Sequence, residues 1–532
     1  MIPDKRRRAS AAPPSNRPLL PADIVPIRPP HPSPISAMTR FSHPDAVTSY
    51  IDGVFLSPSR DAHPIPVVNP GTGAYIATLY EAGPAEVDRA VQAAARSFEA
   101  GAWHGLPLEQ RVNTLRRIAA LTAEHADELC WLESIDLGIP IAQARGAVTA
   151  RVIRNFNFYA DHLGQAVERA ARLDDLYQRY VHRDPVGVCA LITPWNAPLM
   201  LATSKIAPAL AFGNSCVIKT SEYTPLALAR FMTLLTEAGV PTGVVNLVNG
   251  RGPVTGSALV AHPRVDIVSF TGGGQAGRAI AAAAGADLKR CDLELGGKSA
   301  SIVSDSADLE LALDGTLLGI FANAGQMCFA GSRILVQRNI ADVFIERFIE
   351  RARKIRVGDP LDPRTEMGPV AYEAHFQRVL DSVTPASDMT VLSGGHAIER
   401  PGYFIEPTVL LAHSADARAC QEEIFGPVAT LMVYDTFDEA LAIANRTRYG
   451  LAAYLWSNRL DESMAAAQRL RAGTLMVNSP MVLDLRMPFG GYKESGIGRE
   501  GIDSLRNFYS EEKAVAFATC MMPMPMRLGL GK

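Results

Sequence analysis

Between residues 186 and 284 the chain alternates short, unbroken apolar runs with stretches of helical spacing, and no other feature constrains its fold as strongly. The run at 186–192 is bounded by Pro185 and Pro194, as expected of a buried strand. Helical spacing follows at 204–212, an apolar strand at 216–218, and a second helix at 225–238. Strands at 244–248 and 265–270 and a helix at 275–284 continue the pattern. A helix at 86–99, with Val87, Val91 and Ala95 on one face, precedes it. Strands separated by helices imply parallel βαβ units covered on both faces, with ligands beyond the carboxyl ends of the strands. A second α/β region runs from about 295 to 490, with strands at 332–336 and 428–434 and helices at 344–354 and 439–445. The two regions meet near Glu294, and a cleft between domains is a usual place for a site.

Composition narrows the function classes. A chain of 532 residues exceeds what one core normally supports, so two or three domains are expected. The net charge of −3 gives no reason to expect nucleic acid or an anionic membrane as partner. No run of 18 apolar residues is present, so no membrane span is expected. The 7 cysteines are scattered and form no C-x-x-C pair, so a metal site is not expected and a reduced, cytoplasmic setting is. Residues 1–40 carry Arg6, Arg7 and Arg8 and many prolines, with few apolar side chains. They read as a disordered extension, with Met38 as an alternative start.

Four local motifs carry chemistry. The stretch from Val265 through Thr271 to Gly272, Gly273, Gly274 and Gly277 is a strand, a glycine-rich turn and a helix start, suited to an anionic ligand at the helix N-terminus. Read alone, it could equally be a plain connection. Glu294 stands between Leu293 and Leu295 and before Gly296 and Gly297, so it is either a partly buried general base or a turn-bracing carboxylate. Cys328 follows Gly325, Gln326 and Met327 with no histidine nearby, and by itself would be called structural. Asn196 in Pro194-Trp195-Asn196-Ala197-Pro198 is an oxyanion donor or a turn asparagine.

Together and in this order the motifs resemble the aldehyde dehydrogenase superfamily. The matching stretches are PWNAP from Pro194, KTSE from Lys219, FTGGGQAG from Phe270, LELGGKS from Leu293, GQMC ending at Cys328, EEIFGP from Glu422 and PFGGYKESGIGREG from Pro488. Glu294 and Cys328 stand 34 positions apart, which matches the family's spacing. Glycines at 273 and 274 and Gln275 depart from the family's usual turn, which loosens it.

The resemblance implies an aldehyde dehydrogenase fold: a Rossmann-like parallel-sheet NAD-binding domain, an α/β catalytic domain and a small β oligomerisation arm. The expected divisions are 41–165 with 185–294 for the first, 295–494 for the second, and 166–184 with 495–532 for the arm and C-terminal strand. It implies NAD-dependent oxidation of an aldehyde to a carboxylic acid. Cys328 would be the nucleophile, Asn196 with the Cys328 N–H the oxyanion hole, and Glu294 the base for the deacylating water. Lys219 and Glu222 would contact the adenosine ribose, and Gly272, Gly273 and Gly277 would shape the pyrophosphate turn. Leu295, Glu423, Phe425, Trp195 and Thr193 would complete the cofactor site. The implied substrate pocket comprises Ala197, Met200, Leu201, Met327, Phe329, Met481, Leu483 and Phe489, with Arg486 as either a carboxylate anchor or a surface residue. Glu222 would repel a 2′-phosphate, which favours NAD over NADP. The run from Pro194 and the ending from Leu528 resemble the hydroxymuconic-semialdehyde branch, and a homodimer or homotetramer is implied. A CoA-acylating enzyme would not need Glu294, an inert homologue would not need Cys328, and a thiol hydrolase would not need the nucleotide motifs.

Overall fold

A computed structural model describes residues 41–165, 167–172, 176–384 and 386–519. The expected disordered extension at 1–40, Cys520 and the ending from Leu528 lie outside the described residues.

Five strands, β1 (Val188–Ile192), β2 (Ser215–Lys219), β3 (Val245–Val248), β4 (Ile267–Thr271) and β5 (Arg290–Glu294), form a parallel sheet in the order β5-β4-β1-β2-β3. Every residue of β1 to β4 is buried. That is why these strands read as unbroken apolar runs: helices cover both faces and leave no polar side. The helices include α1 (Pro84–Glu99), α2 (Ala126–Asp136), α3 (Pro198–Ala211), α4 (Leu226–Glu237) and α5 (Gly274–Ala286). Val87, Val91 and Ala95 of α1 are buried. Helix α3 begins six residues earlier than the periodicity suggests, because Pro198 supplies a preset φ at the first turn.

From β1 the chain steps outward through β2 to β3, then returns to place β4 on the opposite side of β1. The order reverses between β1 and β4, so the segments after these two strands flank the crevice where ligands of such sheets bind. The second sheet contains β6 (Ala300–Val303), β7 (Arg333–Gln337), β8 (Met389–Ser393), β9 (Thr408–Ala412), β10 (Val428–Tyr434), β11 (Ala452–Trp456) and β12 (Thr474–Val477). Their order is β8-β9-β10-β7-β6-β11-β12, all parallel except β8 against β9. The fold is thus α/β with two mainly parallel sheets. A separate three-stranded antiparallel sheet joins Ala170–Arg172, Tyr177–Pro185 and Ser510–Ala518.

The expected divisions shift at two places. Leu295 packs in the core of the first sheet, and its N–H donates to the Ser495 carbonyl at 2.9 Å. Gly496–Ile497, expected with the arm, instead pairs antiparallel with β5. The physical reason is the open edge of β5, whose backbone groups need partners that only the distant segment supplies.

Candidate active site

The loop carrying Cys328 leaves the helix Leu309–Phe321 through three successive left-handed residues, Asn323 (φ 49°), Ala324 (φ 52°) and Gly325 (φ 71°). Gly325 is required there, since a Cβ would lie 2.0 Å from the Gly426 carbonyl oxygen. Buried amides then tie the loop down. Gln326 Nε2 donates to the Asn323 carbonyl at 3.0 Å, and its Oε1 accepts from the Ala371 N–H at 2.9 Å. Asn323 Nδ2 donates to the Asn196 carbonyl, and Asn196 Nδ2 donates to the Gln326 carbonyl, each at 2.8 Å. Asn196, just beyond β1, is therefore locked to the loop of Cys328, with one amide hydrogen left for another acceptor. On the far side Tyr454 donates to the Phe329 carbonyl at 2.8 Å, and Gly297 is so close that a Cβ would stand 2.4 Å from the Cys328 carbonyl.

Glu294 ends β5, 4 % exposed, and neither carboxyl oxygen has a hydrogen-bond partner among the described residues. Burial, then Glu500 and Asp292, push its pKa well above the usual carboxylate range. Gly490 and Gly498 explain the glycines of the PFGGYKESGIGREG stretch: a Cβ at the first would lie 2.6 Å from Glu294 Oε1, and at the second 2.3 Å from Asp292 Oδ1. Behind Glu294, the buried Lys205 Nζ binds Glu500 Oε1 at 2.8 Å and Ser269 Oγ at 2.9 Å, and Ser269 donates to Asp292 Oδ2 at 3.3 Å. Burial raises the Asp292 pKa to about 7.

Cys328 keeps some exposure through the cavity it lines, while the protein around it desolvates the sulfur. Burial first, then the charges of Glu423 and Glu294, push the thiol above its ordinary value; the N–H groups of Phe329 and Cys328 pull the other way. Glu423 accepts from the Gly297 N–H at 2.8 Å and lies against Gly296, where a Cβ would sit 2.1 Å from Oε2; burial raises its pKa to about 7. Phe425 is held at φ 61° by His375, whose Nε2–H donates to the Phe425 carbonyl at 2.7 Å. Burial lowers the His375 pKa to about 4, so the ring is neutral in this role.

The crevice between β1 and β4 fits a dinucleotide. The first-turn N–H groups of α5 have no acceptor within the helix. Gly272 stacks under the Phe270 ring and Gly277 on Leu295, with no room for a side chain at either (2.5 Å to a Cβ in both cases). A Cβ on Gly273 would meet no non-neighbouring atom within 4 Å, and one on Gly274 would meet Arg278 alone at 3.7 Å among the described residues, so those two glycines are not forced by packing. Thr193 Oγ1 and Thr271 Oγ1 are buried without partners among the described residues. At the end of β2, Lys219 Nζ sits 3.4 Å from Glu222 Oε2. The ring of Trp195 meets that of Phe425 edge to face at 5.3 Å, giving the crevice an aromatic wall that His375 and Tyr372 extend.

A cavity of about 110 Å³ opens onto Cys328. Met200, Leu201, Phe329, Leu483 and Phe489 line it, as expected. Ala197, Met327 and Met481 do not: Ala197 caps α3, and Met327 turns into the core of the second sheet. Arg486 is exposed and bound to Asp484 Oδ2 at 2.6 Å, whereas Arg151, singled out by no motif, lines the cavity. No motif gave a role to Asn323, Gln326, Lys205, His375 or Tyr454 either. For Gln326 a signal existed, its place in the GQMC stretch; the others lie in unremarkable helices, strands and loops.

The aldehyde dehydrogenase family profile matches residues 56–515. The 5-carboxymethyl-2-hydroxymuconate semialdehyde dehydrogenase of Escherichia coli is 41 % identical over 442 residues, which are 81 % of this chain and 93 % of that protein. The solved structure of HpcC from Thermus thermophilus is 39 % identical, with a TM-score of 0.88 over 93 % of this chain and 97 % of that one. The structure of PnpE from a Pseudomonas species in complex with nicotinamide adenine dinucleotide is 41 % identical, with a TM-score of 0.87 over 90 % of this chain and 99 % of that one.

Proposed function

The chain belongs to the aldehyde dehydrogenase family, and from that premise we propose that it oxidises an aldehyde to a carboxylic acid, with NAD as hydride acceptor and a thioester on Cys328 as intermediate. The observation that carries this reading is the placement of Cys328: it lines a cavity, feels the charges of Glu294 and Glu423, and is tied through Gln326 to Asn196.

The Cys328 thiol releases its proton to solvent, and the sulfur adds to the aldehyde carbon as the carbonyl π pair moves onto the oxygen, which becomes an anion. Asn196 keeps a free amide hydrogen for that oxygen, alongside the Cys328 N–H, already in place before the charge develops. Dinucleotide bound beside Trp195, Glu423 and Phe425 supplies the hydride acceptor. Collapse of the anion leaves the thioester. Water then attacks, Glu294 takes its proton, the C–S bond breaks and the thiol is restored. Unpaired, buried and raised in pKa, Glu294 is suited to accept that proton.

The finer reading is a semialdehyde of the hydroxymuconic type, supported by the likeness to the Escherichia coli enzyme. Assembly as a homodimer or homotetramer through the arm is supported by the Ser510–Ala518 strand, whose residues are largely exposed in the single chain. Scattered free cysteines support a cytoplasmic setting.

The test is NADH absorbance with a panel of aldehydes. The wild-type chain is expected to form NADH and Cys328→Ala none; NADH formation by that variant removes Cys328 from the reaction.

A further inference from the structure

Three consecutive residues beyond β2 make three separate contacts beside the dinucleotide crevice. Glu222 Oε2 accepts from Lys219 Nζ at 3.4 Å, and Thr224 Oγ1 donates to the Trp195 carbonyl at 3.2 Å. Between them the ring of Tyr223 stacks on that of Tyr372, with centroids 3.8 Å apart and planes within 1° of parallel. Tyr372 comes from the other half of the molecule: it caps the helix Glu373–Ser382, which buries Val379 in the core of the second sheet. The Tyr372 ring packs against the core of the first sheet and meets Trp195 edge to face at 5.4 Å. It also stands 5.6 Å from the ring of His375, whose Nε2–H holds the Phe425 carbonyl. The stack thus links the loop of Glu222 to the wall made by Trp195 and Phe425. Both tyrosines are half-buried. A parallel stack gains less from ring electrostatics than an edge-to-face pair, so it holds the two segments together without locking them.

We propose that Tyr223 and Tyr372 form a clasp between the two halves that fixes the width of the dinucleotide crevice and so sets how fast the reduced cofactor leaves. Both are positioning residues. They act on the cofactor through Glu222 on one side and through Trp195 and Phe425 on the other. Parting of the rings lets the loop at 222–224 and the Phe425 wall separate, and release of NADH needs such an opening once in each turnover. The ring faces make the contact, so the hydroxyl groups are dispensable for it. This inference rests on NAD bound in the crevice, and its test reads cofactor binding alone, without chemistry at Cys328.

The test measures the NADH dissociation rate by stopped-flow fluorescence and the NADH Kd by titration. It uses wild type, Tyr223→Leu, Tyr372→Leu, the double Leu variant, Tyr223→Phe and Tyr372→Phe. Each single Leu variant is expected to raise the dissociation rate and the Kd by about threefold to tenfold, the worth of one aromatic pair. The double variant should exceed the larger single effect by less than about twofold, because both changes remove the same contact. The Phe variants keep the ring faces and should stay within about twofold of wild type. Two Leu variants whose effects multiply overturn the proposal, as does a Leu variant that releases NADH at the wild-type rate. Phe variants as leaky as the Leu variants overturn it too, since the hydroxyl groups would then be the groups that matter. A wild type that binds no NADH overturns the cofactor reading of the crevice, and the clasp with it.

Discussion

Asn196 and Gln326, 130 residues apart, are joined by a 2.8 Å hydrogen bond from a side-chain amide to a backbone carbonyl. Because Asn323 returns a bond of the same length to the Asn196 carbonyl, the donor and the nucleophile's loop move as one unit. Asn196→Ala removes a strut of the loop together with the proposed oxyanion donor. Its kcat is expected to fall by about 10²–10³, the loss of roughly 3 kcal/mol of transition-state stabilisation. Steady-state kinetics decide it, and a change below about threefold would exclude Asn196 from the oxyanion hole.

Glu294 has a raised pKa because burial and two neighbouring acids disfavour its anion. At low pH it is protonated and cannot take a proton from water, so turnover should rise with pH through and beyond the usual carboxylate range. Glu294→Gln should retain a single-turnover burst of NADH, followed by slow turnover lacking this pH-dependent rise. Stopped-flow absorbance at several pH values checks both limbs, and unchanged steady-state turnover would remove Glu294 from the mechanism.

Gly297 has no space for a methyl group, because the Cys328 carbonyl stands 2.4 Å from where it would be. Backbone must yield, and the sulfur moves with it. Gly297→Ala is expected to lower kcat by about tenfold or more, since sub-ångström placement of a nucleophile governs rate. Activity within twofold of wild type would mean that the loop adjusts without cost.

Glu222 lies 3.4 Å from Lys219, and the nearby Arg251 is held by Glu81 at 2.6 Å. A 2′-phosphate would therefore meet a carboxylate with no free guanidinium to offset it. Wild type should prefer NAD, and Glu222→Gln should narrow the preference by about tenfold. Comparison of kcat/KM for the two cofactors measures this; an NADP preference in wild type would mean that Glu222 points away.

Glu133 on α2 is fully buried, and its Oε1 accepts from the Leu199 N–H at 3.0 Å, in the first turn of the helix after Asn196. Burial raises its pKa from 4.5 to about 7. The folded chain thus holds this proton more tightly than the unfolded one. The contribution to stability is full below about pH 4.5 and is lost as pH rises through about 7. Glu133→Gln keeps an acceptor without the ionisation, so its stability relative to wild type should improve by on the order of 3 kcal/mol between about pH 4.5 and about pH 8. Denaturant midpoints at the two pH values test this, and a constant difference would refute it.

The α/β architecture was legible because β1 to β4 are buried on both faces, which leaves an unbroken apolar signature in the sequence. The helices were less sharply readable at their ends: α3 starts at Pro198, where the apolar pattern is too continuous to mark a boundary. Cys328, Glu294 and Asn196 could be picked out only as an ordered set, since each had an ordinary local explanation. Gly273 illustrates the opposite case: it sits inside a conspicuous run of three glycines, yet open space surrounds it, while Gly272 and Gly277 beside it are held by Phe270 and Leu295.

The sequence by itself determined the strand and helix alternation, the glycines that permit close approach, and the identity of the groups able to do thiol chemistry. Tertiary structure alone decided which charges are paired. Arg486 and Arg151 are the same residue type, but one finds Asp484 two residues away, while the other lines the cavity and, among the described residues, bonds Asn155. Local spacing encodes secondary structure because backbone geometry is periodic. Pairing and burial depend on segments brought together from far along the chain, as Lys205 and Glu500 are, and no local pattern records them.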